Sequence, residues 1–187
     1  MEAAADEFAR EDRLGANINR ISLAAGLAQG TVYNYFPSKH ALFLAVVEEA
    51  CLRAATGADT VPPTASTRDR LRAAIASDVA WARDQEPFAR VLVREALSAD
   101  AELYLEIVQA AAPFVEKVAV ILAEGVTRGD IRDDVPLEQL ALTVVGLTLL
   151  VLAQHWRAGG DWPGLDEIPD FVVVMFLDGA RGGKGER

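Results

Sequence analysis

Residues 18–36 read INRISLAAGLAQGTVYNYF, and the spacing inside this stretch decides how the chain begins to fold. Asn17 is placed to cap a helix over residues 18–25, because an Asn side chain accepts from an early helical N–H. Gly26 ends that helix and tolerates the positive φ that a tight turn needs. A second helix is expected over residues 29–35. Pro37 stops it, since the residue before a proline is pushed out of the helical region. Ser22 and Ala25 are small enough to let two helices cross steeply, and Ile21, Leu27 and Val32 supply a small core to lock them. That is the spacing of a helix-turn-helix, whose second helix lies in the DNA major groove with its N-terminal residues at base edges. Spacing alone leaves another reading open, since short glycine-turn helix pairs also occur in helical proteins with no DNA role.

Outward from this stretch the chain reads as helix nearly throughout. Ala and Leu are frequent, and no period-two alternation marks a strand. A short helix is expected over residues 3–10, before an irregular stretch at 12–16. Ser38 caps a helix running to about residue 55, with Leu42, Phe43, Val46, Val47 and Ala50 as its apolar stripe. Gly57, Pro62 and Pro63 make residues 56–66 a loop, and Thr67 caps a helix ending near Gln85. Pro87 suits the first turn of a short helix to residue 96. Residues 99–128 form a long helical stretch that Pro113 should kink or divide, and Gly129 closes it. Pro136 opens the most apolar helix, which ends at Gly159 and Gly160. A last helix is expected over residues 168–180, and residues 182–187 as a disordered tail.

Composition sets outer bounds. Hydrophobic residues at 51% and charged residues at 25% suit a folded protein with a sizeable core, not a disordered chain. The first seven residues are acidic with no apolar h-region, so no secretory signal peptide is expected. The greasy run at residues 140–153 contains Thr143, Gly146 and Thr148 and is too short to span a membrane; it reads as a core or interface helix. Cys51 is the single cysteine and cannot form an internal disulfide, which makes the cytoplasm the expected compartment. A net charge of −10 argues against nucleic acid until its distribution is considered. Residues 13–47 contain no Asp or Glu, while Arg13, Arg20 and Lys39 are basic. An acid-free window of this kind can face phosphates even on an acidic protein.

The run AAGLAQGTVYNYFPSKHALFLAVV, residues 24–47, resembles the signature of TetR-family transcriptional regulators. Gly30-Thr31-Val32-Tyr33, Tyr35-Phe36 and Pro37-Ser38-Lys39 match that pattern in order and spacing, and the Gly129-Asp130-Ile131-Arg132 turn is similar to a recurring family feature. The resemblance implies an all-α chain: a three-helix DNA-binding domain at residues 1–47, then a ligand-binding and dimerisation bundle at 48–187. It implies that Ala28, Gln29, Thr31 and Asn34 face the groove, and that Tyr33, Tyr35 and Lys39 contact backbone phosphates. The chemistry agrees: Gln pairs with adenine, the Thr methyl meets thymine, and tyrosine hydroxyls and lysine suit phosphate. Four positions depart from the family pattern. Glu7 stands where an apolar residue is usual, and Arg20 stands where an acidic third helical residue would complete a capping box. Ala28 and Gln29 replace the more common Ser and Lys or Arg.

For the second domain, candidate pocket residues are Trp81, Phe88, Leu92, Tyr104, Val108, Phe114, Val118, Leu149, His155 and Trp156. Large aromatics with a few polar groups suit a small-molecule site, and the scarcity of charge among them points to an apolar or aromatic effector. Leu140, Val144, Leu147 and Val151, with Phe171, Val172, Met175 and Phe176, are candidates for a homodimer interface. Two histidines and one cysteine make no metal constellation, and no cofactor is expected. The expected function is therefore a ligand-responsive regulator, a repressor released from a palindromic operator by a small molecule, and not an enzyme. The competing classes are a helical small-molecule-binding protein or enzyme without DNA binding, and a purely structural helical dimer.

Overall fold

The computed structural model of the chain describes residues 1–28, 30–55, 62, 64–98 and 101–179, the side chains of 55, 101–106, 110 and 114 excepted. Among them the elements are helical: α1 (Glu2–Gly15), α2 (Ile18–Ala24), a 3-10 turn (Thr31–Asn34), α3 (Lys39–Ala55), α4 (Thr67–Asp84), α5 (Glu86–Ala96), α6 (Ala101–Arg128), α7 (Leu137–Arg157), a second 3-10 turn (Leu165–Glu167) and α8 (Ile168–Leu177). Most of the loop expected at 56–66, the start of the stretch expected at 99–128, and the tail lie outside the described residues. Contacts divide the chain into two compact units. The first comprises residues 1–57 and 80–114, the second residues 58–79 and 115–187.

In the first unit, α1 is longer than expected and contains a break where irregular backbone was anticipated. Asp12 sits at φ 65°, ψ −179°, inside what is otherwise a helix. Such a conformation is unfavourable for a residue with a Cβ. Its own carboxylate compensates, accepting from the N–H groups of Leu14 at 2.7 Å and Gly15 at 2.8 Å. These bonds, that from Gly15 foremost, hold the Asp12 carboxyl below its ordinary pKa.

The core of this unit is built on aromatic packing. Phe8 and Phe43 are fully buried and meet edge to face, with ring centroids 5.2 Å apart. Each phenyl ring contributes roughly 1.5–3 kcal/mol by leaving water. Val46, Val47 and Ala50 extend the stripe of α3 into the same core, and Phe88, Val91 and Leu92 of α5 complete it. Arg53 fastens the far end of α3. Its guanidinium lies 4.2 Å from the Phe88 ring centroid and bonds Gln85 at 2.6 Å, Glu49 at 2.8 Å and Glu2 at 2.9 Å. The helices at the N-terminus therefore share one core with α5 instead of closing on themselves.

In the second unit, Ser66 and not Thr67 caps α4: Ser66 Oγ accepts from the Asp69 N–H at 3.1 Å and donates to the Asp69 carboxylate at 2.6 Å. Thr67 is turned to a tertiary bond, donating to Asp130 at 2.7 Å. Pro113 sits inside α6 without dividing it. Gly129, at φ +79°, ends that helix, and the Asp130 N–H returns to the Gly125 carbonyl at 2.8 Å. This is a common way of satisfying last-turn carbonyls. Helix α7 spans 21 residues, long and apolar enough by length and composition to cross a membrane. One face is nevertheless used inside the unit, where Ala141, Val144, Val145, Val151 and Leu152 are buried. The last helix stops at Leu177, short of the expected residue 180, because Gly179 turns the backbone to φ +69°.

Candidate functional site

The helix-turn-helix stretch begins as its sequence requires. Asn17 caps α2, its side chain accepting from the Asn19 N–H at 2.8 Å. Ser22 is buried, and its carbonyl takes the Leu27 N–H at 2.8 Å as the chain turns at Gly26, φ +69°. Ile21 and Val32 are buried as expected, whereas Leu27 is 41% exposed and Ala25 is also at the surface. The expected second helix over residues 29–35 is instead the four-residue 3-10 turn. Gly30 enters at φ +87°, outside the right-handed region. The remaining residues include β-branched Thr31 and Val32 and are too few to repay helix nucleation before Pro37.

This turn displays the side chains expected to read DNA. Tyr33 is 52% and Tyr35 73% exposed, large values for aromatics. Ala28 and Asn34 are also exposed and Thr31 is half-buried, while Gln29 lies outside the described residues. Lys39 is half-buried. Its ammonium donates to the carbonyls of Leu14 at 2.7 Å and Ala16 at 3.1 Å, at the end of α1. An ammonium has three protons, so two such bonds leave one for an outside acceptor. Lys39 and Tyr33 line one concavity of about 310 Å³ together with residues Gly15, Ala16, Asn17, Ile18 and Asn19. Asn19 was not singled out in the sequence; only its place in the first turn of α2 could have signalled it. Ser38 opens α3, its hydroxyl accepting from the Ala41 N–H at 3.0 Å.

The expected basic window is electrostatically thinner than its composition suggests. Arg20 is engaged by Glu7 at 2.7 Å and by Glu11 at 3.4 Å, acids that precede the window in sequence.

The candidate pocket residues are shared between the two units. Phe88 and Leu92 are buried in the first unit's core, and Val108 is 45% exposed. Trp81 is half-buried, and its indole N–H has no acceptor. In the second unit Val118 is buried, while Leu149, His155 and Trp156 are half-buried. His155 Nδ1 lies 2.7 Å from the Pro163 carbonyl, which fixes the ring. The side chains of Tyr104 and Phe114 are outside the description.

What the sequence reading missed in the second unit is a charged pair on core positions. Asp78 of α4 is 6% exposed, and its Oδ1 stands 4.0 Å from Lys117 Nζ of α6, with no hydrogen bond to either atom. Burial raises the Asp78 carboxyl to a pKa of about 7, against the opposing pull of Lys117. The signal was available. Asp78 continues the stripe Leu71, Ala74, Ile75, and Lys117 precedes Val118, Ile121 and Leu122 at helical spacing.

Of the expected interface residues, Val144, Val151 and Val172 are buried within the second unit itself, because the 3.6-residue repeat that carries them is the face α7 and α8 turn to their own core. Leu140, Leu147 and Phe176 are half-buried. The apolar surface left outside is Leu142, Leu150, Phe171, Val174 and Met175, each at least 36% exposed.

Two family models match the chain. Residues 1–46 match the bacterial regulatory proteins of the tetR family, and residues 64–180 match the tetracyclin repressor-like C-terminal domain. The HTH-type transcriptional repressor AcnR of Corynebacterium efficiens is 29% identical over 175 residues, covering 92% of this chain and 87% of the relative. AcnR of Corynebacterium glutamicum is 27% identical over 172 residues with the same coverage. Among solved structures, FadR of Bacillus subtilis in complex with stearoyl-CoA superposes with a TM-score of 0.83 at 18% identity, covering 96% of this chain and 97% of that one. FadR of Bacillus halodurans gives 0.82 at 20% identity, with 96% and 97% covered.

Proposed function

The chain belongs to the TetR family of bacterial regulatory proteins and is a DNA-binding transcriptional regulator; we propose that it is a repressor whose hold on a palindromic operator is loosened by a small molecule bound in residues 48–187. The observation that carries this reading is the exposure of Ala28, Tyr33, Asn34 and Tyr35 around the 3-10 turn, with Tyr33 and Lys39 lining one concavity. Ala28, Gln29, Thr31 and Asn34 would meet base edges, and Tyr33, Tyr35 and Lys39 would hold phosphates. Repression is the role named for the AcnR relatives. That the fold can house a ligand is supported by the FadR structure with stearoyl-CoA.

A homodimer supplies the second reading head, and its surface is the exposed apolar set on α7 and α8. Helices α4 and α6 each run from one unit into the other, so a ligand that shifts them in the second unit has a covalent route to the first. There α5 packs in the same core as α1 and α3. Both reading heads must fit the groove together, so a small shift suffices. Coupling of roughly 1–3 kcal/mol gives a five- to 150-fold change in affinity. The protein works in the cytoplasm, where its operator is, and performs no catalysis. The test is to titrate thermal-shift hits against protein bound to its selected operator. Lowered operator affinity supports the reading. A ligand that saturates the protein and leaves operator affinity unchanged refutes it for that ligand.

A further inference from the structure

Helices α4 and α6 carry two cross-helix charged pairs in one antiparallel register. Arg70 meets Glu124 in direct contact, with Arg70 Nη1 donating to the carboxylate. Two turns further along α4 and back along α6, Asp78 faces Lys117 at 4.0 Å without a hydrogen bond. Both pairs lie within the second unit. Burying two charges without completing their hydrogen bonds is costly, and a well-packed apolar pair at such positions is commonly as stable or more so. Packing stability therefore gives no reason for this pair.

The unsatisfied pair has a definite chemistry. An oxygen can stand about 2.8 Å from both Nζ and Oδ1, an ordinary hydrogen-bond length, when those atoms are 4.0 Å apart. To satisfy both it must accept from the ammonium and donate to the carboxylate. A hydroxyl does this with one atom, and a primary amide does it with two. An ether only accepts. Once Asp78 is ionised, above its folded pKa of about 7, a ligand carboxylate would bring a second negative charge to a pair that is already balanced. We propose that Asp78 and Lys117 form the polar anchor of the effector site and take a hydroxyl or primary amide on an otherwise apolar ligand. This rests on the reading that the helical domain binds a small molecule, and it adds one neutral polar group to the apolar or aromatic effector expected there.

The experiment uses the full chain at about pH 8.5, where Asp78 is ionised, and four probes sharing an apolar tail: octanol, octanamide, octyl methyl ether and octanoate, with affinities from calorimetry. Octanol or octanamide should bind about tenfold more tightly than the ether and octanoate, the difference expected from one hydrogen bond to a charged group. In Asp78→Leu/Lys117→Met, with its helical circular dichroism unchanged, that preference should fall to within about twofold. If the double variant does not fold, Asp78→Asn decides, because it leaves the Lys117 charge unbalanced and should turn the preference toward octanoate. Equal binding of alcohol and ether to the unaltered protein, a preference surviving in the folded double variant, no shift toward octanoate in Asp78→Asn, or no binding by any probe at its solubility limit overturns the anchor. Selectivity that depends on the pair while operator affinity stays fixed upholds the anchor and refutes the effector reading. Operator release that persists equally in the double variant does the reverse.

Discussion

Glu7 and Arg20, 13 residues apart in sequence, are joined through one carboxylate oxygen: Glu7 Oε1 takes Arg20 Nε at 2.8 Å and the backbone N–H of Asn17 at 2.9 Å. Asn17 is the N-cap of α2. In a capping box, the acid at the third helical position reaches back to the N-cap N–H. Here Arg20 holds that third position, and the acid comes from α1, from a residue only 2% exposed. These two departures from the family pattern are thus one exchange, which moves the capping acid from α2 to α1 and uses the displaced position to neutralise it.

Glu7→Ala should cost about 2 kcal/mol, because it strands the Asn17 N–H and leaves Arg20 without its main partner. Glu7→Leu/Arg20→Glu restores the family arrangement and should recover most of the loss of the single changes. Urea unfolding of the two singles and the double measures the coupling. Additive losses would show that the two residues act independently.

Gly125 admits no side chain. A Cβ there would lie 2.7 Å from Ile131 Cγ1 and 2.9 Å from Thr67, which is itself held by Asp130 and Arg128. Gly→Ala in an open helix interior stabilises by about 1 kcal/mol. Gly125→Ala should instead destabilise by roughly 1–3 kcal/mol, the overpacking range. The sign of the change in urea midpoint settles which effect governs.

Asp78 gives stability a pH dependence of definite sign. Its carboxyl titrates near 3.8 when unfolded and at about 7 in the fold. Between those values the folded chain keeps a proton that the unfolded chain has lost, so this group's contribution falls as pH rises and levels off above the folded value. Asp78→Asn removes that dependence. Stability of the variant relative to the unaltered protein should therefore be higher at about pH 8 than at about pH 5. An identical difference at both pH values would show that Asp78 titrates normally.

Leu150 is 45% exposed on α7, so Leu150→Glu should leave the protomer folded and weaken the dimer. Val151→Glu, at a position 1% exposed, should unfold the second unit's core instead. Light scattering with circular dichroism separates the two outcomes. A Leu150→Glu protein that remains fully dimeric counts against this surface.

What the sequence disclosed follows from which interactions are local. Asn17, Gly26 and Ser38 act through neighbours within a few residues, and each does what its type and spacing imply. Periodicity marked α7 correctly but not which face turns outward. Val144 and Val151 share a stripe that serves the unit's own core, while Leu142 and Leu150 face away. The reading turn is shorter than expected because Gly30 adopts positive φ, a choice glycine permits but does not announce. Glu7 with Arg20, Lys39 with the α1 carbonyls, and Asp78 with Lys117 are pairings between distant segments, and no local pattern specifies them.

The most direct test of the central claim is selection with this chain on random duplex DNA at low salt, with Lys39→Ala and Tyr33→Phe beside it. An enriched inverted repeat is expected, its half-sites one helical turn (~34 Å) or a multiple apart. Lys39→Ala and Tyr33→Phe should weaken binding to every sequence alike, as loss of a phosphate contact does, and leave the enriched motif unchanged. No enriched motif, or binding that Lys39→Ala leaves untouched, would contradict the assignment of residues 28–39 as the DNA-reading surface.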